Sequence, residues 1–302
     1  MTEMNVLEVK EIKKSFGSKK VLDGVSFSVP ENCVFGFIGR NGAGKTTTMR
    51  AILGLLKTDD GEINVCGEKI SYGCVPKSCS IGFLPDVPEF YGYMNAREYL
   101  MLCGEISGVG KTELKKRISE LLELVGLDKE KHRIKGYSRG MKQRLGIAQA
   151  LINSPKLLIC DEPTSALDPV GRKDILDIIS AAKERTSVIF STHILSDVER
   201  VCSRVAFLEG GKTVFSGSLE DIHAKRRNTA LDLTLAHTED IKRVLSAFPK
   251  GKETDTGIIV PNASDKECAD LMAFISAQMI PITCLERHEA DLEDLFMEVI
   301  GK

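Results

Sequence analysis

From residue 6 to residue 30 apolar and polar positions alternate: Val6, Leu7, Val9 and Ile12, then Val21, Val25, Phe27 and Val29. A period near two belongs to strands with one buried face, so this stretch reads as antiparallel strands around a turn. The alternation gives way to an apolar run, Cys33-Val34-Phe35-Gly36-Phe37-Ile38, which reads as a strand buried on both faces. Residues 47–56 switch to helical spacing, with Met49, Ile52, Leu53 and Leu56 on one face. A short strand is expected at 63–65, after the turn Asp59-Asp60-Gly61. From about 89 to 153 the period is helical. Leu114, Ile118, Leu121, Leu122 and Val125 form one stripe closed by Gly126, and a further helix starts near Ser138 with Met141, Leu145, Ala148, Leu151 and Ile152 inward. Apolar strands return at 157–160, 187–190 and 205–208, with a helix at 172–182 between the first two. Such alternation indicates a parallel α/β sheet. The basic cluster Lys225-Arg226-Arg227 marks a boundary. Beyond it the pattern predicts strands at 231–235, 258–260 and 282–285 and helices at 239–248, 265–277 and 292–300. This is a small α/β unit without a recognisable catalytic motif.

Composition narrows the classes. A chain of 302 residues buries a sizeable core and fits two domains. Its net charge of −2 leaves no basic excess to neutralise phosphates, so nucleic acid is not expected as the main partner. No run approaches the roughly 18 apolar residues of a membrane span, and MTEMNVLEVKEIKKSF lacks the apolar stretch of a signal peptide. The nine cysteines include no C-x-x-C pair. Several (Cys33, Cys160, Cys202) fall in apolar runs, so they read as small core residues of a reducing cytosol rather than as disulfides or metal ligands.

Chemistry enters at GRNGAGKT, from Gly39 to Thr46, which fits G-x-x-x-x-G-K-[ST]. The expression alone also describes ordinary glycine-rich turns. Here an expected strand precedes it and an expected helix follows, which places backbone N–H groups and a helix N-terminus around one point. Gly39, Asn41, Gly42, Ala43, Gly44 and Thr47 would surround nucleotide phosphates, Lys45 would reach the terminal ones, and Thr46 would hold Mg2+. The strand Leu157-Leu158-Ile159-Cys160 ends in Asp161-Glu162. In a phosphoryl-transfer site the first carboxylate assists the metal and the second deprotonates the attacking water; otherwise both are solvated acids at a strand end. His193, after the strand at 187–190, is either structural or faces the ligand crevice. Ser138 is a natural N-cap whose helix N-terminus also suits an anion. One subunit rarely wraps a triphosphate from both sides, so the segment Tyr137-Ser138-Arg139-Gly140-Met141 would meet a partner's nucleotide.

In order, GRNGAGKTT, FLPD, YSRGMKQRLGIAQAL, LLICDEP, SALD and STH resemble the cassette of ABC transporter ATPases over about residues 5–220. The resemblance implies a P-loop NTPase cassette over 1–224, with an antiparallel β subdomain, a RecA-like parallel core and a helical subdomain at about 89–153. A small C-terminal α/β domain would occupy 225–302. It implies ATP and Mg2+, with Lys45 and Thr46 on phosphate and metal, Asp161 assisting the metal, Glu162 as base and His193 sensing the γ-phosphate. Asp168 would communicate across a cassette dimer, and Ser138 and Gly140 would complete the partner's site. Phe16 matches the position that stacks on adenine; a core phenylalanine is the alternative. Asp86 stands where the family usually has glutamine, so its metal role is open, because a carboxylate cannot donate as an amide does. Arg139 and Met141 replace the usual glycine and glutamine of the signature, and Arg40 a common proline. The expected protein is an ATP-hydrolysing subunit, exporter-like, at the inner face of the cell membrane. Its partners would be a separate polytopic permease and a second cassette, identical or related. The rivals are a soluble ABC-type ATPase and a regulatory nucleotide-binding subunit with little turnover.

Overall fold

The computed structural model describes residues 4–73, 81–221, 229–261 and 263–289; the helix expected at 292–300 lies outside them. The chain divides into two compact units, Met1–Leu219 and Glu220–Lys302.

In the first unit β1 (Asn5–Phe16) and β2 (Lys19–Pro30) pair antiparallel, Leu7 facing Val29 and Val9 facing Phe27. The strands β4 (Asp60–Val65) and β5 (Glu68–Lys69) extend this sheet in the order β2-β1-β4-β5. Its alternating apolar positions Leu7, Val9, Ile12, Val25, Phe27 and Val29 are all buried. Phe27 joins the two sheets of the unit, its ring 5.6 Å from that of Phe35 and 4.9 Å from that of Phe37.

Phe35 and Phe37 lie on β3 (Val34–Gly39), inside a six-stranded sheet of order β10-β9-β3-β8-β7-β6. Its other strands are β6 (Ile81–Leu84), β7 (Leu157–Asp161), β8 (Ser187–Thr192), β9 (Arg204–Glu209) and β10 (Lys212–Ser218). All neighbours pair parallel except the antiparallel edge β10. Every residue of β3, β7 and β8 is buried, which explains their unbroken apolar runs. The sheet carries α1 (Lys45–Ile52), α5 (Pro169–Ala182) and α6 (Leu195–Val201). Three further helices, α2 (Ala96–Ile106), α3 (Lys111–Leu124) and α4 (Arg139–Leu151), fill the region of helical period. Leu114, Ile118, Leu121 and Leu122 are the buried stripe of α3.

Two differences from expectation have plain causes. The helix read at 47–56 starts at Lys45 and stops at Ile52, because Gly54 at φ 68° turns the chain out of helical conformation. The strand β6 was not anticipated: four residues including Gly82 are too short to show a period, and the strand forms by pairing with β7.

The cysteine reading needs a correction. Cys33 and Cys160 are buried, and burial pushes the Cys160 thiol far above its ordinary value. Cys66, however, is disulfide-bonded. It lies exposed in the turn after β4, at φ 52°, outside any apolar run, so the argument from buried runs does not reach it.

The second unit has β11 (Thr229–Leu235), α7 (Ile241–Ala247), β12 (Lys252–Glu253), β13 (Gly257–Val260), α8 (Asp265–Ala277) and β14 (Ile282–Glu289). This βαββαβ order folds into one antiparallel sheet, β12-β13-β11-β14. Leu231, Leu233, Val244, Ile258, Leu271 and Ile275 form its core. A capping box starts α8, with the Ser264 hydroxyl accepting from the Glu267 N–H and the Glu267 carboxylate accepting from the Ser264 N–H. Lys250, 2.6 Å from that carboxylate, and the Ser264 hydrogen bonds hold its pKa down at about 2.

Candidate active site

The C-terminal ends of β3, β7 and β8 are neighbours, the place where parallel sheets gather ligand chemistry. The strand β3 ends at Gly39, where a Cβ would lie 2.6 Å from the Leu208 carbonyl oxygen, so the backbone approach tolerates no side chain. Gly44, at φ 113°, turns the chain into α1 and offers it no side-chain cap. The first-turn N–H groups are thereby left for an anion.

Lys45, at the head of α1, is only 6% exposed. Its ammonium donates to the Gly39 carbonyl at 2.7 Å and lies 3.0 Å from Glu162 Oε1. The other carboxylate oxygen, Glu162 Oε2, lies 3.0 Å from His193 Nδ1. Glu162 follows β7 in the left-handed region, at φ 48°, a conformation that costs on the order of 1–3 kcal/mol for a residue with a side chain. Hydrogen bonds over-determine it: its N–H donates to Ser191 Oγ at 3.0 Å and to the Ser191 carbonyl at 3.2 Å. The same Ser191 hydroxyl donates to Asp161 Oδ1 at 2.5 Å. One serine at the end of β8 thus fixes both acidic residues.

A cleft of about 700 Å³ collects Asn41, Gly42, Gly44, Lys45, Thr46, Thr47, Asp86, Glu162 and His193, together with Lys19, Lys20 and Ser165. Gly39 and Ala43 are buried, and Ala43 donates its N–H to the Arg40 carbonyl at 3.1 Å to close the loop. Asp161 is buried behind Glu162. Phe16, Ser138, Gly140 and Asp168 do not line the cleft either. Phe16 is 51% exposed, so it is not a core phenylalanine. It faces Lys19 across the β1–β2 turn, with the Lys14 ammonium 5.5 Å from its ring centroid. Ser138 caps α4, accepting from the Met141 N–H at 3.2 Å, with Gly140 in the first turn. Asp168 caps α5, accepting from the Gly171 N–H at 3.2 Å. Ser138 and Asp168 are both exposed.

Asp86, just after β6, is engaged. Its Oδ1 accepts from the Ser165 hydroxyl and, at 3.4 Å, from Arg139. Its backbone carbonyl accepts from Gln143 Nε2 at 2.6 Å. Sequence reasoning missed Ser191, Ser165 and Gln143, and also Asp197. Asp197 is buried on α6 and accepts from Thr164 and Arg172, each at 2.7 Å, pinning the segment after Glu162. The run Ser191-Thr192-His193 held a signal for Ser191, since a strand interior ends there in polar residues. Asp197 sits on a seven-residue helix too short to betray a buried face.

The donor chemistry fits a nucleotide with magnesium. Thr46 and Asp161 are hard oxygen donors beside a cradle of glycines and one buried ammonium, and Mg2+ takes one or two protein oxygens with the rest from phosphates and water. Among the described residues no cluster of three His, Cys, Asp or Glu forms a metal cage, and no helix is long and apolar enough to cross a membrane.

Comparison with known proteins agrees with this geometry. The family model described as ABC transporter matches residues 22–165. The bacitracin transport ATP-binding protein BcrA of Bacillus licheniformis is 43% identical, covering 98% of this chain and 97% of that one. The linearmycin resistance ATP-binding protein LnrL of Bacillus subtilis (strain 168) is 33% identical over 98% of this chain and 99% of that one. A solved structure of the ATP-binding subunit of an ABC transporter superposes with a TM-score of 0.64 at 31% identity, covering 73% of this chain and 92% of that one. At this identity and coverage the chain belongs to the ATP-binding cassettes of ABC transporters, the ATPases coupled to transport.

Proposed function

We propose that this cassette powers export, hydrolysing ATP at the inner face of the cell membrane for a separate polytopic permease, and that it works as a pair of cassettes. The observation that carries the chemistry is the Lys45–Glu162–His193 cluster, with both Glu162 oxygens engaged at 3.0 Å inside the cleft. Gly42, Gly44, Thr47 and the N-terminus of α1 would receive the phosphates, and Lys45 would exchange its Glu162 partner for a phosphate oxygen. Glu162 then takes a proton from water, whose oxygen attacks the γ-phosphorus as the bond to ADP breaks. His193 would hold a γ-phosphate oxygen. The chemistry that magnesium supplies is neutralisation of phosphate charge, and Thr46 and Asp161 are the residues that would hold it. Phe16, exposed at the β1–β2 turn, would stack on adenine.

Ser138, Gly140 and Asp168 lie outside the chain's own cleft, which supports a role toward a second cassette. Export is supported by the likeness to proteins of bacitracin transport and linearmycin resistance. The test is affinity purification of the tagged chain from native membranes with ATPase assay. Recovery of a polytopic membrane protein that raises the ATPase rate is the expected result. Recovery only with ribosomes or DNA would overturn the transport assignment.

A further inference from the structure

Asp86, at the rim of the cleft, and Arg139, in the first turn of α4, are in contact. Arg139 Nη2 donates to Ser165 Oγ at 3.0 Å and lies 3.4 Å from Asp86 Oδ1. The Ser165 hydroxyl donates in turn to that same Oδ1. Gln143, four residues along α4 and so on the same face as Arg139, donates to the Asp86 carbonyl. The helix therefore grips residue 86 with two side chains. Together they make a charge-assisted chain of hydrogen bonds.

The chain of bonds has a direction. Asp86 and Ser165 line the phosphate cleft. Arg139 sits between Ser138 and Gly140, the positions assigned above to the second cassette's nucleotide. We propose that Arg139 is a positioning residue that ties the N-terminus of α4 to the rim of the chain's own cleft through Asp86 and Ser165, so that occupancy of one ATP site sets the pose of the segment completing the other. This assigns Asp86 to coupling rather than to magnesium. It rests on the paired-cassette reading.

The pair is about half exposed, with Arg139 at 44% and Asp86 at 47% of side-chain surface, so a moderate, salt-sensitive effect is expected. The experiment uses the full chain with Arg139→Ala, Asp86→Ala, and the reversed pair Asp86→Arg with Arg139→Asp. Two quantities are read: amide hydrogen exchange over residues 139–143 without nucleotide, and the Hill coefficient of ATP hydrolysis. Each single variant should raise exchange about three- to tenfold and bring a wild-type Hill coefficient above one down toward one, and the reversed pair should restore both. Unchanged exchange, or faster exchange with an unaltered Hill coefficient, would overturn the coupling role; the second result would mark a purely structural contact. A reversed pair that restores neither would overturn the charge argument. ATP binding by the wild-type chain is measured alongside: its absence would sink the ATPase reading, whereas normal binding and turnover with a failed rescue sinks only this inference.

Discussion

Lys45 and Glu162 hold each other at 3.0 Å, so the proposed phosphate ligand and the proposed base neutralise one another until a phosphate competes for the ammonium. Glu162→Gln keeps the size of the side chain and removes its basicity. Turnover should fall by about 10²- to 10⁴-fold, while ATP binding persists and a closed pair of cassettes accumulates on size exclusion. A rate near wild type would move the base role to another residue. Lys45→Ala should instead weaken nucleotide binding itself, and titration with a fluorescent ATP analogue at full affinity would contradict the phosphate-loop role. At this scale the sequence was readable where chemistry is local. GRNGAGKT declares its turn by its glycines, and Asp161-Glu162 declares itself by ending an apolar strand. Ser165, 79 residues from Asp86, was not readable, since a lone serine carries no period; Ser191 left the signal of polar residues ending an apolar strand, but its partner Glu162, 29 residues away, is fixed by strand order.

Elements with a long, regular period were legible. The alternation in β1 and β2, the stripe on α3 and the buried runs of β3, β7 and β8 all appear where the spacing put them. What escaped was short or edge-bound. The strand β10 alternates only partly buried and exposed positions at a sheet edge, and β6 exists through its neighbour. In the second unit α8 runs where its period put it, at 265–277, behind the capping box of Ser264 and Glu267. Ser264→Ala should lower that unit's stability by about 1 kcal/mol, read as a lower urea midpoint; no shift would mean the cap is idle. The pH dependence has a definite sign. The Glu267 carboxyl is depressed from 4.5 to about 2, so its contribution is complete above 4.5 and is lost as pH falls toward 2.

On the scale of the whole chain, two units with separate cores predict two unfolding transitions in calorimetry. Adding ATP with magnesium should raise only the transition of the first unit, by ligand linkage, and Ser264→Ala should lower only the other. A single transition shifted by both would show that the units unfold as one. The antiparallel register of the second unit was not legible, because three strands of similar pattern do not disclose their order. The distribution of thiols has a practical consequence. Cys33 and Cys160 are sealed in the core, whereas Cys284 on β14 is the exposed one among the described free cysteines. Among these described cysteines a maleimide dye will therefore label Cys284 first, placing an optical reporter on the C-terminal unit and opening its motions to fluorescence.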